Sequence, residues 1–346
     1  MGKCGEIMMH RARLVAQEKI ELEEVQQPTP AQKEVLIRVA YAGICGSDVH
    51  AYLGKHPFVK PPIVLGHEVS GIIEDSKDGR FQIGEKVTIE PSVTCGHCYN
   101  CLQGRYNICQ ELRVIGCAGY DGGYAEFIVV PGNNVIHLPT AWHLKRGALV
   151  EPTAVAVHAV KLSRLKRGEP VVVFGAGTIG LLTVAVAKAF GAGETCVVDL
   201  LDSRLKIAEG QGATLVINPQ KLSLDKTLPV GFSGGVGVIL DSVVDELTIG
   251  QGFAWARNGA RIVIIGIPAS KIRVDMALVQ DHEFELIGSL MYTREDYEVA
   301  IRLLDNGSVN ADQLITDIYP LSRAAEALAS SKDRADHSVK TLLDCT

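Results

Sequence analysis

Between Gly43 and Glu68 the chain reads GICGSDVHAYLGKHPFVKPPIVLGHE, which brings a thiol, a hydroxyl, imidazoles and carboxylates into one short stretch. Cys45 and His67 are soft and borderline donors that suit Zn²⁺, and Glu68 places an oxygen beside the imidazole. Gly43, Gly46 and Gly66 loosen the backbone here, so the donors are expected on turns rather than inside regular elements. Three protein ligands without a fourth thiolate describe an open, catalytic ion site rather than a closed one. A buried cysteine beside a surface His–Glu pair would leave the same letters, and spacing alone does not separate the two.

A second group follows in TCGHCYNCLQGRYNICQ, where Cys95, Cys98, Cys101 and Cys109 are spaced x2, x2 and x7. Four thiolates satisfy a tetrahedral Zn²⁺ with no vacancy, and such a site braces a loop without doing chemistry. An iron–sulfur cluster uses the same ligand type and stays open as an alternative. His97, between two of the cysteines, reads as a solvated loop residue. Glu151 lies in the apolar run ALVEPTAVAV, where an isolated carboxylate is too costly to bury. It is either a surface residue at a Pro152 turn or an inward group facing a cation; the second is the expectation.

The third chemical signal is PVVVFGAGTIGLLTVAVAKAFGA: a buried strand, a glycine turn and an apolar helix. Gly175, Gly177 and Gly180 form G-x-G-x-x-G in the strand–turn–helix context that the motif requires. The first glycine makes the turn, the second admits a pyrophosphate to the backbone, and the third lets helix meet strand. The helix N-terminus faces the diphosphate charge. TCVVDL then ends in Asp199, near the position of a carboxylate that binds the adenosine ribose hydroxyls and repels the extra phosphate of NADP. Arg204 is the residue that could welcome that phosphate instead.

These groups must be held by about two domains in a chain of 346 residues. A net charge of −6 with no basic patch argues against nucleic acid and anionic membrane as partners. MGKCGEIM does not read as a signal peptide, and no apolar run is long enough to span a bilayer. The nine cysteines are then expected in a reducing, cytoplasmic compartment, where clustered thiols bind metal more often than they form disulfides. Cys117, Cys196 and Cys345 read as small core residues or passengers, and Cys4 has no assigned role.

Short strands (EVLIRVAYAGIC, VSGIIED, EKVTIEP, GGYAEFIVVP, NNVIHLP) give the first part an antiparallel, barrel-like character. From Glu169 strands alternate with helices, and TLVINP, GVGVILDSV, RIVIIGIP and FELIGSL complete six parallel strands of a doubly wound sheet. TIGQGFAWARNGA is expected to be helical up to Gly259. The tail offers two helices, EDYEVAIRLLDNG and LSRAAEALASS, and the strand SVKTLLDC, and is expected to return to the first domain.

Taken in order, these motifs resemble the zinc-dependent medium-chain alcohol dehydrogenase family over nearly the whole chain, and within it the polyol branch of sorbitol, sugar-alcohol, butanediol and threonine dehydrogenases. The resemblance implies an α/β protein: a GroES-like β-barrel catalytic domain (1–155, with a return over 289–346), a Rossmann NAD-binding domain (156–288), and an active site in the cleft. It makes Cys45, His67 and Glu68 ligands of the catalytic zinc, with Glu151 binding it directly or through water. Cys95, Cys98, Cys101 and Cys109 become ligands of a structural zinc, two ions per subunit in all. Ser47 and His50 match the family's proton relay. Ile179, Asp199, Arg204, Ile265-Gly266-Ile267 and Ser289-Leu290-Met291 match contacts to NAD.

The implied reaction oxidises a secondary alcohol of a polyol, diol or sugar-derived small molecule to a ketone, with hydride passing to NAD⁺. The implied assembly is a homodimer or homotetramer. Ala51 and Leu290-Met291-Tyr292 replace residues that grip polyol hydroxyls in animal sorbitol dehydrogenases, and Tyr52 or Arg294 are the candidates to substitute. Two rival readings are a zinc-free, quinone-reductase-like oxidoreductase and a non-enzymatic nucleotide-binding sensor.

Overall fold

The computed structural model describes residues 7–222, 232, 234–268, 270–332 and 338–346. Most of MGKCGEIM, including Cys4, lies outside them. The chain forms two compact units, residues 1–151 with 315–346 and residues 152–314. The second boundary thus falls at Leu314 rather than at residue 288. The reason is local: the helix that follows residue 288 is ion-paired and packed within the second unit.

The first unit is mainly antiparallel. A three-stranded sheet pairs β1 (Met8–Ala16) with β2 (Lys19–Gln26) and β4 (Ile63–Val64). The larger sheet centres on β3 (Glu34–Gly43), flanked by β5 (Glu68–Ser76), then β6 (Lys86–Ile89) and β11 (Val135–His137), with β10 (Phe127–Pro131) also paired to β3. The last two strands, β18 (Ile315–Pro320) and β19 (Lys340–Asp344), join its other side, with Leu342 opposite Gly43. That pairing returns the tail to the first unit. β18 and β19 run parallel to each other, a departure from the antiparallel pattern, and β18 went unread because its half-exposed alternation is short.

β3 is buried at Val35, Leu36, Ile37, Val39 and Ala42, as a β-branched run between two neighbours should be. A short helix, α1 (Gly46–Tyr52), follows it. The loop containing the four cysteines carries α2 (Tyr99–Leu102) and leads into a small sheet of β7 (Ser92–Val93), β8 (Arg113–Ile115) and β9 (Gly119–Tyr120). After β11 come α3 (Leu144–Gly147) and α4 (Val150–Leu162).

The second unit is a six-stranded, all-parallel sheet: β12 (Val171–Phe174), β13 (Thr195–Val198), β14 (Leu215–Ile217), β15 (Val236–Asp241), β16 (Ala256–Ile264) and β17 (Glu285–Gly288). Their spatial order, β14-β13-β12-β15-β16-β17, reverses direction between β12 and β15, as in a doubly wound sheet. The helices α5 (Thr178–Ala189), α6 (Asp202–Gly210), α7 (Glu246–Trp255), α8 (Met276–Asp281), α9 (Arg294–Asp305) and α10 (Ala311–Leu314) connect or follow these strands, and α11 (Ala324–Lys332) belongs to the first unit. α5 is buried continuously from Gly180 to Ala187, as an apolar helix packed against a sheet must be.

α7 ends at Trp255 and not at Gly259. Ala256 already has extended backbone and pairs with Val236, so the ARNGA segment enters β16 through an irregular register. α9 buries Asp296, Tyr297, Ala300 and Leu304, an i, i+1, i+4, i+8 face. Asp296 Oδ2 lies 2.8 Å from His158 Nδ1 and Oδ1 lies 2.9 Å from Lys161 Nζ, which ties α9 to α4.

Candidate metal centres and cofactor cradle

The catalytic ligand group is built at the junction of β3, α1 and β5. Cys45 is the N-cap of α1, Glu68 is the first residue of β5, and His67 directly precedes it. Cys45 and His67 thus lie just outside the regular elements, while Glu68 is inside one, at the start of β5. Glu68 is registered opposite Gly43 in the β3–β5 ladder, so the sheet itself fixes the carboxylate. A Cβ at Gly43 would collide with Glu68 Oε2 and with Lys340 Cε, so only glycine permits that approach. The donor atoms of Cys45, His67 and Glu68 lie within 4.8 Å of one another.

Asp48, which the sequence reading passed over, organises this group. Its carboxylate accepts the Cys45 N–H at 2.9 Å, the return arm of a capping box, and the Tyr124 hydroxyl at 2.9 Å. Asp48 Oδ1 lies 3.6 Å from His67 Nδ1. Nε2 is then the nitrogen a metal would take, and a carboxylate behind the ring is the usual partner of a metal-bound imidazole. Burial disfavours the Asp48 charge, but His67, the Cys45 N–H and the Tyr124 hydroxyl hold it below the usual carboxylate range. Burial likewise works against a charged His67, yet Asp48 and Cys45 raise it well above an ordinary histidine. The only sequence trace of Asp48 was an acid three residues after the first ligand; Tyr124 left none.

Lys340 was also missed. Its ammonium, on β19, ion-pairs with Glu68 Oε2 and donates to the Ile44 carbonyl at 2.9 Å. Glu151, in the first turn of α4, is buried, and its charge helps to raise Lys340. It is an inward group within reach of a cation's field. Ser47 and His50 stand three residues apart on α1 and so share a face. Tyr52 is buried in the core of the first unit and Tyr292 packs edge-to-face on Tyr297, with centroids 5.0 Å apart. Both rings are buried. Arg294, half-buried at the start of α9, is the other candidate.

The four cysteines of the α2 loop pass a direct geometric test. Zn–S bonds of about 2.3 Å require tetrahedral edges of about 3.8 Å. Cys95–Cys109, Cys95–Cys101 and Cys98–Cys109 are 3.5, 3.9 and 4.0 Å apart, sulfur to sulfur. That is room for one ion and not for a multi-iron cage, which removes the cluster alternative. Backbone N–H groups of Cys98, Cys95 and Glu111 donate to the Cys95 and Cys109 sulfurs. The N–H groups of Gln110 and Cys101 pull Cys98 down to about 6, whereas burial and neighbouring thiols push Cys101 up to about 12. Four thiolates at these spacings would need a cation between them. His97 is exposed, its ring against the Cys95 carbonyl and Glu111. Cys196 and Cys345 are buried, and Cys117 lies 3.7 Å from His56 Nε2.

The cofactor candidates gather at the carboxyl ends of the parallel strands, where such sheets take nucleotides. Gly175 has φ +92, and a Cβ at Gly180 would strike the Gly175 carbonyl oxygen, so α5 can meet the turn only without a side chain there. Gly177 caps α5 and faces open space. Asp199 accepts the Ala176 N–H at 2.6 Å and the Leu201 N–H at 2.9 Å, which seats its carboxylate against the glycine turn. Ile179 and Arg204 are half-buried on α5 and α6. Ile265 and Gly266 donate to the Asp241 carbonyl, and Ile267 is exposed. Ser289 donates to the Ile264 carbonyl, its hydroxyl buried without a hydrogen-bond partner; Leu290 is exposed and Met291 adopts φ +52. An unpartnered buried hydroxyl and an exposed apolar edge suit a bound nucleotide.

Residues 31–140 match the alcohol dehydrogenase GroES-like domain, and residues 178–306 match the zinc-binding dehydrogenase domain. Sorbitol dehydrogenase of Bacillus subtilis is 32% identical over 97% of this chain and 96% of its own. A protein of Aspergillus fumigatus named Probable D-xylulose reductase A is 37% identical over 92% of each. The structure of 2R,3R-butanediol dehydrogenase from Bacillus subtilis superimposes with a TM-score of 0.88 at 30% identity, covering 97% of this chain and 99% of the other. The chain belongs to the zinc-binding alcohol dehydrogenases, an NAD(P)- and zinc-using oxidoreductase family, and to its polyol dehydrogenase branch.

Proposed function

We propose that the protein oxidises a secondary alcohol of a polyol, diol or sugar-derived substrate to a ketone, passing hydride to NAD⁺. The observation that carries this is the Cys45–His67–Glu68 donor group, closed to within 4.8 Å and backed by Asp48. Zinc bound there supplies Lewis-acid polarisation of an alcohol oxygen. Asp48 holds the His67 ring, and the β3–β5 ladder holds Glu68. Ser47 and His50 move the proton away along one face of α1, and Glu151 stands as a further ligand or base. Cys95, Cys98, Cys101 and Cys109 hold the second, structural ion. The substrate class is carried by relatives named for sorbitol, D-xylulose and butanediol. A complete donor set favours this reading over the zinc-free rival.

NAD⁺ is preferred over NADP⁺ because the seated Asp199 carboxylate repels a ribose phosphate. Thiols gathered around one ion suit a reducing, cytoplasmic compartment. The solvent-facing edge strand β17, with Met276 and Leu278 exposed on the preceding helix, supports a homodimer or homotetramer. The test is the appearance of reduced nicotinamide across polyols, diols, sugar acids and threonine, before and after chelation and zinc restoration. Zinc-dependent turnover with NAD⁺ on one substrate class is expected. Equal turnover after one ion is stripped from the Cys45 site would sink the mechanism; bound NAD⁺ with no turnover on any substrate would favour a sensor.

A further inference from the structure

Lys340 is a long cationic side chain with only 1% of its surface exposed, and its partner Glu68 is equally buried. A buried ammonium is costly unless its charge is matched. Here it is matched by the Glu68 carboxylate, with which it ion-pairs. Glu68, Cys45 and Glu151 are the anionic members of the proposed ligand set. The Ile44 carbonyl anchors the ammonium from the backbone that leads into Cys45, and the missing side chain of Gly43 clears its path. A cation supplied by β19 is thus already seated beside the place that a second, divalent cation would take.

We propose that Lys340 is a built-in counter-cation of the catalytic metal site, holding Glu68 in place while competing with zinc for its carboxylate. The proposal rests on the zinc assignment above. Two effects follow with the same sign. Without metal, Lys340 relieves the repulsion among Glu68, Glu151 and Cys45 and so steadies the empty site. With metal, its charge repels the ion and shares its ligand, which loosens binding. Lys340 is a positioning residue acting through Glu68, and it tunes the affinity of the site downward, favouring exchange over permanent capture.

The test uses the full chain with Lys340→Met, or Lys340→Gln if the first variant does not fold; glutamine keeps a donor for the Ile44 carbonyl. Zinc release to a chelator is followed together with melting temperature in metal-free and zinc-loaded protein. The ion at issue is identified as the one lost in Cys45→Ser. Release from this site is expected to slow by about tenfold, the scale of outer-shell changes. The rise in melting temperature on adding zinc is expected to grow, because the metal-free form loses most. In a Glu68→Gln background the Lys340 substitution should change both quantities by clearly less, because only the direct charge effect on the ion, Cys45 and Glu151 is left; an undiminished effect would show that Lys340 does not act through Glu68. Unchanged or faster release in a variant that still binds two ions overturns the proposal alone. A wild-type protein that holds only the cysteine-loop ion overturns the ligand assignment and the proposal together.

Discussion

Asp48 touches no reacting atom, yet it fixes the N-cap of α1, receives the Tyr124 hydroxyl and stands behind His67. Its effect on function runs through the imidazole: a ring held by a carboxylate is a better-placed and more basic ligand. Asp48→Asn keeps the shape and removes the charge. Zinc affinity at the Cys45 site should fall by about 10- to 100-fold, with the cysteine-loop ion unaffected. Competition with a graded series of chelators measures this, and equal affinity in the two proteins would show that Asp48 is only a helix cap. The same residue explains a limit of reading by letters. CGSD contains the acid, but its partners His67 and Tyr124 arrive through the β5 pairing and through the chain before β10.

Between elements, the joint of α4 and α9 carries a clear pH signature. Burial works against the Asp296 carboxylate, but His158, Lys161 and the Thr293 N–H hold it at about 2, against 3.8 when free. A folded-state value below the unfolded one stabilises the fold above the unfolded value, and that stability is lost as pH falls toward about 2. The shift corresponds to about 2 kcal/mol. Asp296→Asn should therefore lower unfolding free energy by about that amount at neutral pH and by little near pH 2. Urea melts at the two pH values decide it, and an equal loss at both would assign the effect to packing instead. The helices themselves were legible because α9 has a strong 3.6-residue period with Thr293 and Asp296 at its start. The end of α7 was not, because Ala256 is drawn into β16 by pairing with Val236, a contact that local propensity cannot see.

At the scale of the whole molecule the two units differ in how the chain makes them. The second is one continuous stretch, 152–314, with its own buried core and the entire glycine motif. Expressed alone, it is expected to fold and to quench or enhance NADH fluorescence on binding; a chain that stays unfolded by circular dichroism would show that it needs the first unit. Its six strands could be read from the sequence because each is a short apolar run set off by glycine or polar turns. The first unit is discontinuous, and there the sequence lost Lys340: its contact with Ile44 spans 296 positions, and no periodicity reports so distant a neighbour.

That span also sets an order of events during synthesis. The four cysteines of the α2 loop lie within one short stretch and can take their ion soon after they leave the ribosome. Cys45, His67 and Glu68 emerge earlier still, but they wait for β19, translated hundreds of residues later, to bring the ammonium that restrains them. If Lys340 competes with zinc for Glu68 as proposed, the donor group lacks its counter-cation until then. A nascent chain paused before β19 should therefore be the form most prone to picking up the wrong metal.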